Sequence, residues 1–150
     1  FRFCCEIADA TADLVCCYKP QIAHFAALGA EAALLRLIRY TQATYPAIPV
    51  ILDAKRGDIV STAEAYAKSA FESMGVDCIT LSPYLGKDSI EPFLKYPERG
   101  VFLLCKTSNA GSGDLQDILV TIDDRPLTME VSPSSVVCCT WSLYYEQPTQ

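Results

Sequence analysis

Two kinds of apolar spacing alternate along the first 110 positions of the chain. Short runs that are apolar nearly throughout read as strands buried on both faces: "LVCCY" at 14–18, "VILDAK" at 50–55, "CITLSP" at 78–83 and "VFLLCK" at 101–106. Between the first two runs, Ile22, Phe25, Leu28, Ala32, Leu35 and Ile38 recur every three or four positions, the period of a helix, and Pro46 and Pro49 close that connection. Ser61 and Glu64 have the spacing of a capping box, in which each side chain satisfies a backbone N–H of the first helical turn. Behind them Ala63, Tyr66, Ala67, Ala70, Phe71 and Met74 trace one helical face that ends at Gly75. Asp88 and Glu91 mark the start of a shorter helix, and Gly100 precedes the fourth run.

Buried strands alternating with amphipathic helices predict an α/β fold with a parallel sheet covered by helices. Polar residues gather where each strand ends: Lys19, Asp53 with Lys55, Ser82, and Thr107-Ser108-Asn109. A (β/α)8 barrel carries its chemistry at that end. A doubly wound sheet would do so too, but the G-x-G-x-x-G turn of the dinucleotide-binding version is missing. Past residue 114 the rhythm fails. The segment "DLQDILVTIDDRPLTMEV" has room for a short strand, a turn at Asp123-Asp124 and a helix start. Residues 132–150 show neither period nor capping logic, so an aberrant, poorly ordered tail is expected over 132–150. Trp141 and Tyr144-Tyr145 fall in that tail and carry no reading of their own.

Charge and composition narrow the functions. A formal net charge of −6 repels nucleic acid and anionic lipid, so any anionic ligand has to be held by local cations. The apolar runs fall well short of the roughly 18 residues of a membrane helix. The eight cysteines lack C-x-x-C spacing and are accompanied by one histidine, His24. They read as small buried hydrophobes in a reducing compartment, not as a zinc site or a disulfide framework. Residue 1 is Phe and the methionines are Met74 and Met129, so the chain is expected to begin inside a longer reading frame.

The segment "ILDAKRGDI" at 51–59 crowds Asp53, Lys55, Arg56 and Asp58 onto the end of an apolar strand. Residues two apart on a strand share a face, which aims Asp53 and Lys55 together and turns Arg56 outward to an expected ion pair. Lys19, ending the neighbouring strand, reaches the same space, and Gly57 lets the chain turn toward Asp58. The result is a Lys-Asp-Lys-Asp network. An ammonium held beside a carboxylate can neutralise a developing carbanion and then protonate it. A carboxylate facing a substrate carboxylate favours its departure as CO2. The chemistry this predicts is decarboxylation through a carbanion with no cofactor as electron sink; a purely structural ion-pair network would carry the same residues.

The sequence "DAKRGDI" resembles the D-x-K-x-x-D signature of orotidine 5′-phosphate decarboxylases, in the form of their type 2 subfamily. "ATADLVCCYKPQIAHFAALGAE", "DAKRGDIVSTAEAYAKSAF", "LSPYLGKDSIEPFL" and "LLCKTSNAGSGDLQ" resemble that subfamily as well, in the same order. The resemblance covers residues 1–131 and implies an incomplete (β/α)8 barrel there with strands 2–5 present, a cytoplasmic homodimer, and conversion of orotidine 5′-phosphate to UMP and CO2 in pyrimidine synthesis without metal or organic cofactor. It implies Lys55 as proton donor, Asp53 as the carboxylate facing the departing CO2, and Asp58 and Thr62 as residues that reach the partner subunit's site. It implies Lys19 as the lysine that contacts the ribose and orders the charges, and Ser108 as the residue that reads the pyrimidine edge. A family strand before residue 1 and the phosphate-gripping loops after strand 5 have no counterpart here, so this chain alone is expected to turn over poorly. Two rival expectations are a magnesium-dependent sugar-phosphate lyase of the same barrel superfamily and a non-catalytic remnant.

Overall fold

The computed structural model describes residues 1–117, 120–122, 125–127 and 138–139. The tail expected at 132–150 lies outside these, apart from one short strand, as do Trp141, Tyr144 and Tyr145.

Helix α1 (Arg2–Thr11) is followed by α2 (Ile22–Ala26) and α3 (Glu31–Thr44). Strand β1 (Ile51–Arg56) then leads into α4 (Val60–Lys68), which continues as a π-helical segment, Ser69–Met74. Strand β2 (Cys78–Leu81), α5 (Glu91–Leu94), strand β3 (Gly100–Leu103) and α6 (Gly113–Gln116) follow. β1, β2 and β3 are parallel neighbours. Strands β4 (Val120–Ile122) and β5 (Arg125–Leu127) form a separate antiparallel pair, and β6 (Cys138–Cys139) lies antiparallel to β3. The parallel α/β order matches the sequence expectation.

One core lies between the sheet and the helices. Val50, Leu52, Ile79, Leu81 and Val101 of the sheet meet Leu34 and Ile38 of α3, Ala63 and Ala67 of α4, and Phe93 of α5, all nearly inaccessible to solvent. The π-helical turn contributes Ala70 and Phe71, and Phe71 meets Phe93 edge-to-face at 6.3 Å. The apolar face read from Ala63 to Met74 is therefore the face that packs. Gly75 ends this helix at φ 73°, a left-handed geometry that costs a residue with a Cβ about 1 kcal/mol.

Four local expectations need correction. The run "LVCCY" is not a strand: only Tyr18 and Gln21 bridge to Val50 and Asp53, and Cys16 is exposed. The helix read from 22 to 38 is two helices, broken at Gly29 with φ 57°, and Leu28 at the break is 82% exposed. The buried stripe of α3 is Leu34, Ile38 and Thr41, one turn apart, not the stripe through Ala32 and Leu35. No capping box forms, because α4 begins at Val60 with Ile59 before it, which puts Ser61 inside the helix, while Glu64 pairs with Lys95 at 2.9 Å. The cysteines are also less uniform than expected: Cys5 is buried in α1, whereas Cys4, Cys17, Cys78 and Cys105 are half-buried. Apolar spacing does not announce α1. Tyr18 ties it to the sheet edge by donating its hydroxyl to Ala8 O at 2.6 Å, and Asp9 accepts from Tyr40 and Tyr45 beside α3.

Candidate active site

The segment 18–20 runs alongside β1 and sets the direction of Lys19. Ile51 N–H donates to Tyr18 O at 2.8 Å, and Asp53 N–H donates to Pro20 O at 3.0 Å. Lys19, in the middle of this segment, places Nζ 3.0 Å from Asp53 Oδ2. Lys55 Nζ lies 2.6 Å from the other oxygen, Oδ1. One buried carboxylate thus holds two ammonium groups. Its own side chain is 9% exposed, while those of Lys19 and Lys55 are 52% and 47% exposed.

The convergence of Asp53 and Lys55 has a different origin from simple strand alternation. Leu52 is level with Ile79, but Arg56 is level with Leu81, so β1 advances four residues while β2 advances two. Lys55 takes up the excess at φ 48°, a left-handed backbone uncommon for a residue with a side chain. Thr80 on β2 sits against this bulge. Its Oγ1 donates to Asp53 Oδ1 at 2.9 Å and accepts from the N–H groups of Ala54 and Lys55 at 3.0 and 2.9 Å. The sequence reading missed Thr80. The available signal was a lone polar residue inside the apolar run "CITL", on the strand following the charged motif.

Burial pushes the Asp53 carboxyl up, but hydrogen bonds from Lys55, Lys19 and Thr80 outweigh it and bring its pKa down to about 2. Asp53 is therefore ionised at any physiological pH. The cluster carries two positive charges and one negative, a local excess of +1 in a chain whose net charge is −6. A half-exposed pair of ammonium groups over a fixed carboxylate suits an anionic ligand that can develop negative charge near Lys55. Lys19 also borders an apolar cavity of about 240 Å³ lined by Ile7, Phe25, Leu37 and Val50.

Among the described residues, no hydrogen bond or ion pair joins the remaining site candidates to this cluster. Asp58 follows the strand end and accepts from Ile59 N–H at 2.8 Å; among the described residues no ion pair links it to Lys19 or Lys55. Among the described residues, Lys19, Asp53 and Lys55 of the expected network come together. Thr62 is half-buried on α4. Ser108 is exposed in the loop after β3. That loop is braced on both sides of Ser108, by Thr107 N–H donating to Gln116 Oε1 at 2.8 Å and by the Thr107 hydroxyl donating to Asn109 at 2.6 Å. Arg56 does turn outward, but among the described residues it meets the Tyr66 ring at 4.5 Å and no carboxylate. His24 is exposed on α2.

Comparison with known proteins places the chain in a family. Residues 2–132 match the model of the orotidine 5′-phosphate decarboxylase / HUMPS family. An orotidine 5′-phosphate decarboxylase of Aromatoleum aromaticum is 63% identical over 116 residues, which is 77% of this chain and 43% of the relative. One from Paracidovorax citrulli is 59% identical over 131 residues, 87% of this chain and 48% of the relative. The solved OMP decarboxylase of Leishmania donovani superposes with a TM-score of 0.72 at 50% identity, covering 82% of this chain and 48% of that one. The chain thus spans about half the length of the curated relatives it matches, and its parallel sheet is a segment of their (β/α)8 barrel. By the extent of that match, the chain belongs to the orotidine 5′-phosphate decarboxylase / HUMPS family.

Proposed function

We propose that this chain carries the charge network that decarboxylates orotidine 5′-phosphate to UMP. The observation that carries the proposal is the Lys19–Asp53–Lys55 triad: an ionised, buried carboxylate fixed between two accessible ammonium groups. Asp53 faces the substrate carboxylate, and the resulting repulsion is relieved as CO2 leaves. The electron pair of the broken C–C bond stays on C6 of the pyrimidine. Lys55 stabilises that charge electrostatically and then transfers its proton to C6, leaving UMP and a neutral amine that regains a proton from water. The overall change is loss of CO2 and gain of one proton. Lys19 contacts the ribose and keeps Asp53 oriented. Ser108 reads the pyrimidine edge from the braced loop after β3.

The same reading makes the working unit a homodimer in which Asp58 and Thr62 reach into the partner's site. Ile59 and Val60, between them in sequence, are 65% and 51% exposed, an apolar surface that a second subunit would cover. The place of action is the cytoplasm, where pyrimidine nucleotides are made. No helix of the described residues is long and apolar enough to cross a membrane. The relatives named above favour decarboxylation over a magnesium-dependent sugar-phosphate lyase.

The test is a chimera in which residues 2–117 replace the matching segment of the Aromatoleum aromaticum relative. The chimera is expected to release CO2 from orotidine 5′-phosphate without added magnesium, and Lys55→Ala is expected to abolish release while UMP still binds. A folded chimera that is inactive, or one in which Lys55→Ala weakens only binding, would refute the assignment.

A further inference from the structure

We propose that Thr80 is a positioning residue of this site, its hydroxyl setting both the left-handed bend that carries Lys55 and the orientation of the Asp53 carboxylate. The significance of that placement rests on the roles proposed above for Lys55 and Asp53.

A threonine hydroxyl has one hydrogen to donate and two lone pairs to offer. At Thr80 all three are used, and all on the neighbouring strand. The hydrogen goes to Asp53 Oδ1, and the lone pairs take the N–H groups of Ala54 and Lys55. Thr80 is 9% exposed, so water is a poor substitute for any of these partners. The bulge itself creates the need. Where β1 advances four residues against two, the regular ladder between Leu52 and Arg56 is interrupted, and the amides of Ala54 and Lys55 would otherwise lack acceptors. A side-chain oxygen on β2 replaces the missing strand partner. Threonine is also stiff at χ1, so the oxygen is held in place by the strand that carries it.

Asp53 has three hydrogen-bond donors, and Thr80 is the uncharged one with the least freedom. Lys19 and Lys55 approach on long, half-exposed side chains, whereas Thr80 is anchored within β2 by its pairing to β1 and β3. A carboxylate fixed by Thr80 leaves Lys55 one geometry in which to meet it, which preorganises the ammonium before substrate arrives. An ordinary core threonine would bond within its own strand and would leave the backbone of its neighbour indifferent to its loss.

The experiment uses the full 150-residue chain in nuclear magnetic resonance, without substrate. Thr80→Val and Thr80→Ser are compared by two readouts: the Lys55 amide–Hα coupling, which reports φ, and the carboxyl titration of Asp53. Thr80→Val is expected to move Lys55 toward extended backbone and to shift the Asp53 midpoint up from about 2 toward the ordinary aspartate range. Thr80→Ser, which keeps the hydroxyl, is expected to match the wild type in both. A folded valine variant with both readouts unchanged overturns the proposal. If the valine variant does not fold, the serine variant decides: agreement with the wild type supports the hydroxyl's role, and loss of either feature overturns it. Neither readout depends on turnover, so an inactive chimera would count against the functional reading alone.

Discussion

Lys55 reaches the Asp53 carboxylate at 2.6 Å from a left-handed backbone at φ 48°, so the two residues meet through a bulge and not through strand pleating. Strand alternation predicts the right pair for an incomplete reason. Had β1 stayed regular, it would have kept an even register with β2, and the successive N–H groups of Ala54 and Lys55 would have pointed to opposite sides of the strand instead of both to Thr80. The bulge lies at the end of the strand that carries the charges, where local strain is often spent on function.

The depressed pKa of Asp53 has a sign that can be tested. In the unfolded chain an aspartate titrates near 4, and in the folded chain near 2. The ionised carboxylate therefore stabilises the fold fully above pH 4, and that contribution disappears as pH falls through about 2. A shift of this size is worth roughly 2 kcal/mol. Asp53→Asn is expected to be destabilised by about that amount at pH 7, with the difference from wild type shrinking between pH 4 and pH 2. Urea unfolding of both proteins across that range checks it. A difference that stays constant with pH would show that the loss comes from packing and not from charge.

Neighbouring positions on α5 should differ sharply. Phe93 is 1% exposed and packs against Phe71 at 6.3 Å, whereas Leu94 is 50% exposed. Phe93→Ala removes a buried ring and leaves a cavity, a change worth about 3–5 kcal/mol. Leu94→Ala is expected to stay within about 0.5 kcal/mol of wild type, as surface substitutions do. Equilibrium denaturation of the two variants decides, and equal losses would place the wrong face of α5 in the core.

What could be read from the sequence follows from how local each signal is. The face Ala63–Ala67–Ala70–Phe71 was legible because a helix fixes its own neighbours, and one apolar stripe suffices to orient it. Its start was not: Ser61 and Glu64 have capping spacing, yet the chain turns helical two residues earlier, and Glu64 finds Lys95 instead. The run at 14–18 shows the opposite limit. A strand exists only where another strand pairs with it, and here the only isolated bridges are Tyr18 to Val50 and Gln21 to Asp53 among the described residues. Asp53, Lys55 and Lys19 were legible because charges at strand ends need a reason. Thr80 was not, since one hydroxyl in an apolar strand carries no hint of the bulge it faces. Arg56 was correctly turned outward, but its partner, the Tyr66 ring, is an aromatic face that charge counting overlooks.

The Asp9 cluster gives an optical prediction. Asp9 Oδ1 accepts from Tyr40 at 2.6 Å and from Tyr45 at 2.7 Å. The hydrogen bond to Asp9 pushes the Tyr45 hydroxyl up to about 12, because losing its proton would set a phenolate against a carboxylate. Tyr40 is raised for the same reason, and the two phenols in turn hold the Asp9 carboxyl below its ordinary value. Ultraviolet titration of Asp9→Asn is expected to show two tyrosines ionising earlier, close to pH 10. An unchanged titration curve would mean that the phenols do not bond to Asp9 in solution.

Gly57 should be intolerant of any side chain. It follows β1 directly, and a Cβ placed there would lie 2.4 Å from the backbone oxygen of Ser82, closer than real Cβ atoms come. The obstruction is main chain, so it cannot swing aside as a side-chain tip would. Relief has to come from moving the ends of β1 and β2 apart, at the point where Ser82 N–H donates to Arg56 O at 2.6 Å. Overpacking of this kind costs about 1–3 kcal/mol. The displacement falls two residues after Lys55 and just before Asp58, so it should be felt at the site as well as in stability. Gly57→Ala is expected to lower the unfolding midpoint and to weaken protection of the Ser82 amide from hydrogen exchange, while Gly111→Ala, where a Cβ meets only side-chain atoms at 3.5 Å and beyond, is expected to leave both unchanged. A Gly57→Ala variant with wild-type stability and full protection at Ser82 would show that the two strand ends are not in the close contact described.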